Sequence, residues 1–244
     1  MESIEANVNK DVSSNKTRST STRRKAPPLS GASQRGFSVL ELLVVITIGV
    51  IAAAIAVPRI NQMVMSSRIS GDARSLAEEV TVAKMRAAAN FTQARIHADL
   101  AAGTYQLEEC TRIATNTSNN CTGAGDSWLN ANGQPVQGPF PLSQGVTFGT
   151  GGVATAPPNT GAPLAQAGQC LDNTGAAIAN SACIIFNSRG LSITDVPNPN
   201  AVPQIAPNAL YVTNGQQVYS VTVSATGLIQ TWFAAANAAA FTAL

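Results

Sequence analysis

The chain has 244 residues, 11% of them charged, with a formal net charge of +2; this length allows one or two domains. The charge is unevenly placed. Residues 1–36 carry seven basic and three acidic side chains, a balance of +4, which leaves −2 on residues 37–244. That acidic balance argues against a nucleic-acid partner, and the four cysteines lack the close spacing that zinc sites use.

In chain order, residues 1–36 come first, a polar leader with Lys10, Lys16, Arg18, Arg23, Arg24, Lys25 and Arg35. Its low hydrophobicity predicts disorder, so it is excluded from the fold. A basic flank before an apolar span places the N-terminus in the cytoplasm. As a nucleic-acid-binding tail it lacks interleaved aromatics. From Phe37 to Val57 the only charge is Glu41. As a helix these residues span roughly 30 Å, enough to cross a bilayer core. A secretory signal peptide has a shorter apolar core, about 7–15 residues, followed by a small-residue cleavage site. A carboxylate in such a span is costly and needs a reason; in the first turn of a helix it also suits the dipole.

The run Gly36-Phe37-Ser38-Val39-Leu40-Glu41-Leu42-Leu43-Val44-Val45 resembles the cleavage and methylation segment of type IV prepilins and type II secretion pseudopilins. The resemblance implies that prepilin peptidase cuts after Gly36 and that the new N-terminus, Phe37, is N-methylated. It also implies that Glu41 pairs with the α-amino group of a neighbouring subunit during filament assembly. A buried pair of this kind fixes register more than it adds stability. Gly49 and Pro58 are the weak points of the helix. Proline removes a backbone donor and clashes one turn back, so a kink or melted turn is expected at Val57–Pro58. The fold implied is α+β and pilin-like, a long N-terminal helix packed on an antiparallel sheet. Its expected parts are a cleaved leader over 1–36, a transmembrane and filament-core helix over 37–58, an amphipathic helix over 59–93, and a periplasmic β-rich domain over 94–244.

Beyond Pro58, Ile69, Ala73, Leu76, Val80, Ala83, Ala87 and Phe91 recur at helical spacing and form one apolar stripe, with Arg68, Asp72, Glu78, Lys84 and Arg86 mostly off it. From Phe91 the period becomes two. Ala94, Ile96, Ala98 and Leu100 alternate with Arg95, His97 and Asp99, and Tyr105 and Leu107 alternate with Gln106 and Glu108, a hairpin around Gly103. His97, the only histidine, is expected on an exposed polar face without metal or catalytic partners. Residues 114–181 are rich in Gly, Asn, Ala, Pro and Thr, with an apolar island at Pro139–Leu142 and a strand at Val146–Phe148. So long a loop tends to be functional or disordered; it is a candidate for partner recognition or a passive exposed loop. Cys110, Cys121, Cys170 and Cys183 all follow the membrane run, and an even count in an oxidising compartment favours disulfides. Of the three pairings, Cys110–Cys121 with Cys170–Cys183 is preferred, because each closes a short polar loop beside a strand.

Strands are expected at Ala182–Asn187, Leu191–Ile193, Ala209–Thr213, Gln217–Val223 and Leu228–Trp232, with Asn214-Gly215 as a hairpin turn; Ala234–Leu244 has no assignment. The order Phe186-Asn187-Ser188-Arg189-Gly190-Leu191, then a strand pair ending in Ser224-Ala225-Thr226-Gly227, resembles H-type minor pseudopilins and FimT-like minor pilins. Arg189, in a turn, reads as structural. The function the resemblance implies is a minor pseudopilin or minor pilin, a single-pass structural subunit at the tip of an inner-membrane-based, pilus-like filament of type II secretion, with other pilins or pseudopilins, the assembly platform and prepilin peptidase as partners. A type IV minor pilin acting in pilus biogenesis or DNA uptake is the alternative. No Ser/His/Asp set or framed carboxylate pair points to an enzyme, and no cofactor is implied.

Overall fold

In the computed structural model, residues 36–112, 121, 125–198 and 201–244 are described; the leader before Gly36 and loop positions 113–120 and 122–124 lie outside them. The chain divides into two compact units, one ending at Gly49 and the other beginning at Val50. The first unit contributes the start of helix α1 (Val39–Ala89). That helix is assigned without interruption through Pro58, so no turn is melted there.

The second unit is α+β. Its strands are β1 (Ala94–Asp99), β2 (Thr104–Glu109), β3 (Gln137–Pro141), β4 (Thr147–Phe148), β5 (Ser181–Phe186), β6 (Ser192–Ile193), β7 (Asn208–Thr213), β8 (Gln217–Val223), β9 (Ile229–Ala235) and β10 (Thr242–Ala243). They form two antiparallel five-stranded sheets, ordered β3-β2-β1-β5-β6 and β10-β9-β8-β7-β4, where the sequence reading expected one. The tail Ala234–Leu244, unassigned from sequence, completes β9 and adds β10 against Phe233 and Trp232.

The α1 stripe is the hub of the core. Ile69, Leu76, Val80, Ala83 and Ala87 are fully buried and Ala73 nearly so. They pack against Ile96, Leu107, Ile184 and Phe186 of the first sheet and Leu210, Val212, Val221 and Val223 of the second. Burying each large aliphatic side chain stabilises by about 1.5–3 kcal/mol. Polar residues beside the stripe latch the helix to the strands' connections. The Asp72 carboxylate accepts from the backbone N and Oγ of Ser143, both at 2.8 Å, and Lys84 Nζ donates to the carbonyl of Gly227 at 2.9 Å.

Under Lys84 the two turns singled out in the sequence meet. Gly190 and Gly227 both have left-handed φ, 72° and 79°. A Cβ on Gly227 would lie 2.4 Å from the carbonyl oxygen of Gly190. Close backbone approach and positive φ together demand glycine there.

The long connection between β2 and β5 is a structural part rather than a decoration. The backbone N of Ala167 donates to Ala209 of β7, and the carbonyl of Gly168 accepts from Cys183 of β5, so one segment ties the two sheets together. The Gln166 side chain completes it, bonding both the N and the carbonyl of Tyr211 at 3.0 and 2.8 Å. The disulfides join Cys110 to Cys121 and Cys170 to Cys183, the pairs favoured by short loop closure.

Phe91 departs from the expected stripe. Helix α1 ends two residues earlier, Phe91 has φ 51° and its side chain is 86% exposed. The Thr92 N–H donates back to Ala87, five residues earlier, which closes the helix around a left-handed residue. Glycine or asparagine usually occupies that position; a residue with a Cβ and no local polar bond costs about 1–2 kcal/mol there. Phe91→Asn should therefore raise stability by about 1 kcal/mol in urea denaturation followed by Trp128 and Trp232 fluorescence. A drop in stability would show that the phenyl ring supports the fold despite its exposure.

Candidate functional site

The processing segment begins at Gly36, where an added Cβ would meet nothing within 4 Å, so packing does not require glycine. Ser38 caps α1: its Oγ accepts from Leu40 N at 3.2 Å and its carbonyl from Leu42 N at 3.1 Å. Glu41 lies in the first turn. Ser38-Val39-Leu40-Glu41 has the spacing of a capping box, a sequence signal for the helix start that the apolar-span reading passed over. Cap and carboxylate both satisfy the positive end of the helix.

No side chain of this segment is buried. Phe37, Val39 and Leu40 are 82%, 82% and 74% exposed, and Leu42, Leu43, Val45, Ile46, Ile48, Ile51 and Ile55 are all more than half exposed. The apolar window of α1 has a mean hydropathy of 2.7 and none of it is buried. An apolar surface of this size calls for a bilayer or partner helices, since water-exposed patches of folded proteins are far smaller. One apolar helix of this kind fits the single-pass membrane anchor of a prepilin.

A second cluster lies on the face of the first sheet away from α1, and it corrects the reading of His97. The side chain of His97 is only 15% exposed, and its Nδ1 lies 3.0 Å from Glu108 Oε1. Glu108 is itself buried and accepts from Arg95 Nε at 2.5 Å and Gln106 Nε2 at 2.5 Å. Arg95 is 2% exposed; its Nη1 donates to the carbonyl of Leu171 at 2.6 Å and lies 3.7 Å from Asp195, and its guanidinium stacks 4.0 Å from the Trp128 ring centroid. The polar alternation of β1 and β2 was legible. Its burial was not, because Trp128, Leu171 and Asp195 come from aperiodic segments far along the chain.

Burial works on these groups in opposite directions. It lowers the Arg95 pKa, although Glu108 and Asp195 oppose that. It pushes Asp195 up, against bonds from Leu171 and Val196 and the charge of Arg95. At Glu108 burial again pushes upward, but the His97 hydrogen bond and the Arg95 charge outweigh it, so the pKa is held below the ordinary value. Removing one partner of a buried pair costs about 3–5 kcal/mol, which makes this cluster a structural clamp. Cys110, Cys121 and Asp126 bring potential ligand atoms within 4.8 Å of one another. Both sulfurs there are committed to a disulfide and offer no thiolate. Arg189 is exposed in the β5–β6 turn.

The chain matches the family described as the Prokaryotic N-terminal methylation motif over residues 31–57. That match supports the type IV pilin and pseudopilin family and points to a structural subunit rather than an enzyme. It implies processing by prepilin peptidase and assembly with other pilins. No curated protein and no solved structure shows a significant match to the chain.

Because Glu108 has a lowered folded-state pKa, its contribution is full above the ordinary glutamate value of 4.5 and is lost as pH falls toward the folded value. Asp195, raised, opposes this trend. Between about pH 6 and pH 3 the wild type should therefore lose stability more steeply than Glu108→Gln, which has no proton to gain. Urea midpoints across that range check it; parallel slopes would mean that Glu108 contributes nothing to acid sensitivity.

Proposed function

We propose that the chain is a minor pseudopilin or minor pilin, a subunit at or near the tip of an inner-membrane-based filament of the type II secretion kind. Prepilin peptidase removes residues 1–36 by cutting after Gly36, and the exposed Phe37 is N-methylated. The N-terminus of the precursor is cytoplasmic and the two-sheet unit periplasmic, an oxidising compartment that suits two disulfides. The observation that carries this reading is the match over residues 31–57 to the methylation motif, on a capped helix start whose large apolar side chains from Phe37 to Val57 are all exposed.

The physical sequence follows from that exposure. The bilayer covers the apolar surface before assembly, and neighbouring helices cover it afterwards. Glu41 is tolerable among those helices only if a cation meets it, and the α-amino group of the adjacent subunit's Phe37 supplies one. Pro58 provides a point at which α1 bends on leaving the bilayer.

The residue order Phe186-Asn187-Ser188-Arg189-Gly190-Leu191 and Ser224-Ala225-Thr226-Gly227 resembles both H-type pseudopilins and FimT-like minor pilins. A type IV minor pilin acting in pilus biogenesis or DNA uptake is therefore the second reading. Neighbouring genes for secreted-protein export or for pilus retraction distinguish the two.

Mass spectrometry of the membrane-purified protein, from cells with active prepilin peptidase, should find methylated Phe37 as the first residue. Any other N-terminus overturns the processing assignment. Glu41→Val should be processed normally but enter sheared filaments at a level reduced by roughly tenfold or more, as expected for loss of a buried charge pair. Normal incorporation would remove the register role of that carboxylate.

A further inference from the structure

The last two basic residues in the sequence, Arg112 and Arg189, lie far apart along the chain yet line one open pocket of about 300 Å³ beyond the C-terminal end of α1. Phe91 and Gln93 form its helix side, Asn187 the β5–β6 turn side, and Val202 its lip. Among the described residues no carboxylate lines it. Two other arginines near the sheets are neutralised: Arg86 faces Glu109 at 3.7 Å, and Arg95 is held by Glu108 and Asp195. No described carboxylate forms such a pair with Arg112 or Arg189.

Phe91 adds a second, independent observation. It holds a left-handed backbone conformation that phenylalanine disfavours, and its ring is 86% exposed, so neither backbone nor packing explains an aromatic there. Strain kept at an exposed position points to function. Val202, 63% exposed, continues the same apolar lip.

We infer that this pocket docks an acidic segment of a partner protein, with a side-chain carboxylate between Arg112 and Arg189 and an adjacent apolar side chain against Phe91 and Val202. Guanidinium forks match carboxylates with paired hydrogen bonds. Aromatic and arginine side chains are the residues that dominate protein interfaces. A nucleic acid is the poorer occupant. Two cations neutralise only two phosphates, and residues 37–244 carry a net −2 that repels a polyanion. The inference does not depend on the filament reading, because it rests only on groups of the second unit.

The test is isothermal titration of the full-length protein in detergent with a blocked tetrapeptide, Ala-Glu-Phe-Ala, and its Gln counterpart. Circular dichroism checks that each variant is folded. Saturable binding of the acidic peptide is expected, weakened about fivefold or more by the Gln peptide and by either Arg112→Gln or Arg189→Gln, as for loss of one charge-assisted contact. Phe91→Asn, which keeps the left-handed turn, should also weaken it. The leader is common to all these proteins, so any binding by it cancels from the comparison. No saturable binding at about 10 mM peptide, a Kd too weak for docking, overturns the inference. So does equal binding of the two peptides, or binding unchanged by the arginine variants. Tighter, arginine-dependent binding of oligothymidylate than of the acidic peptide would reassign the pocket to a polyanion and equally overturn it.

Discussion

The second unit depends on one helix face serving two sheets. Ile69, Leu76 and Val80 fill the space between α1 and the strands, while Ala73, Ala83 and Ala87 let the strands come close. A helix has a single apolar stripe, so once it covers one face of each sheet the opposite faces need another cover. On the second sheet that cover is Val153, Ala162 and Phe241 over Tyr211, Val218 and Trp232. On the first it is the two disulfides and Trp128 over Ile185 and Ile193. The length of the connection between β2 and β5 follows from this need.

The cover over the first sheet is attached through charge as well as apolar contact. Arg95 and Glu108 sit on adjacent antiparallel strands, directly paired in register. Removing them from water is unfavourable, and their mutual attraction offsets that only because the remaining donors and acceptors are also used. Leu171 supplies a carbonyl, Gln106 and His97 approach the carboxylate, and Trp128 offers its ring. Each of these groups has one compatible position, so the cluster orients the covering segments as well as holding them. The disulfide Cys170–Cys183 anchors the same segment to β5 beside the cluster.

The processing segment obeys different physics. Ser38 accepts from two backbone donors at its start, Leu40 N and Leu42 N, and a helix entering an apolar medium needs such internal partners. Its side chains make no equivalent arrangement within the chain. A helix built this way needs its apolar surface covered from outside the chain, and a bilayer or partner helices fit that need.

Local chemistry and period were enough for several features. The uncharged run with Glu41, the 3.6-residue stripe from Ile69 to Ala87, the alternation of β1 and β2, the Asn214-Gly215 hairpin and the short cysteine loops are all written in neighbouring residues. Each depends on residues close together in the chain, which is why they can be read without the fold. Other features needed the tertiary structure. Phe91 continues the stripe by spacing, but the helix closes before it and turns it to solvent. The two sheets are tied together where Ala167 bonds to β7 and Gly168 to β5, through backbone groups that every residue carries. Whether the polar face holding His97 is wet or dry depends on Trp128 and Leu171, whose segment has no periodicity to announce it. Nothing local joins Arg112 to Arg189. Contacts between distant segments, made through backbone bonds and single side chains, leave no repeating pattern in the sequence, and only the folded chain decides them.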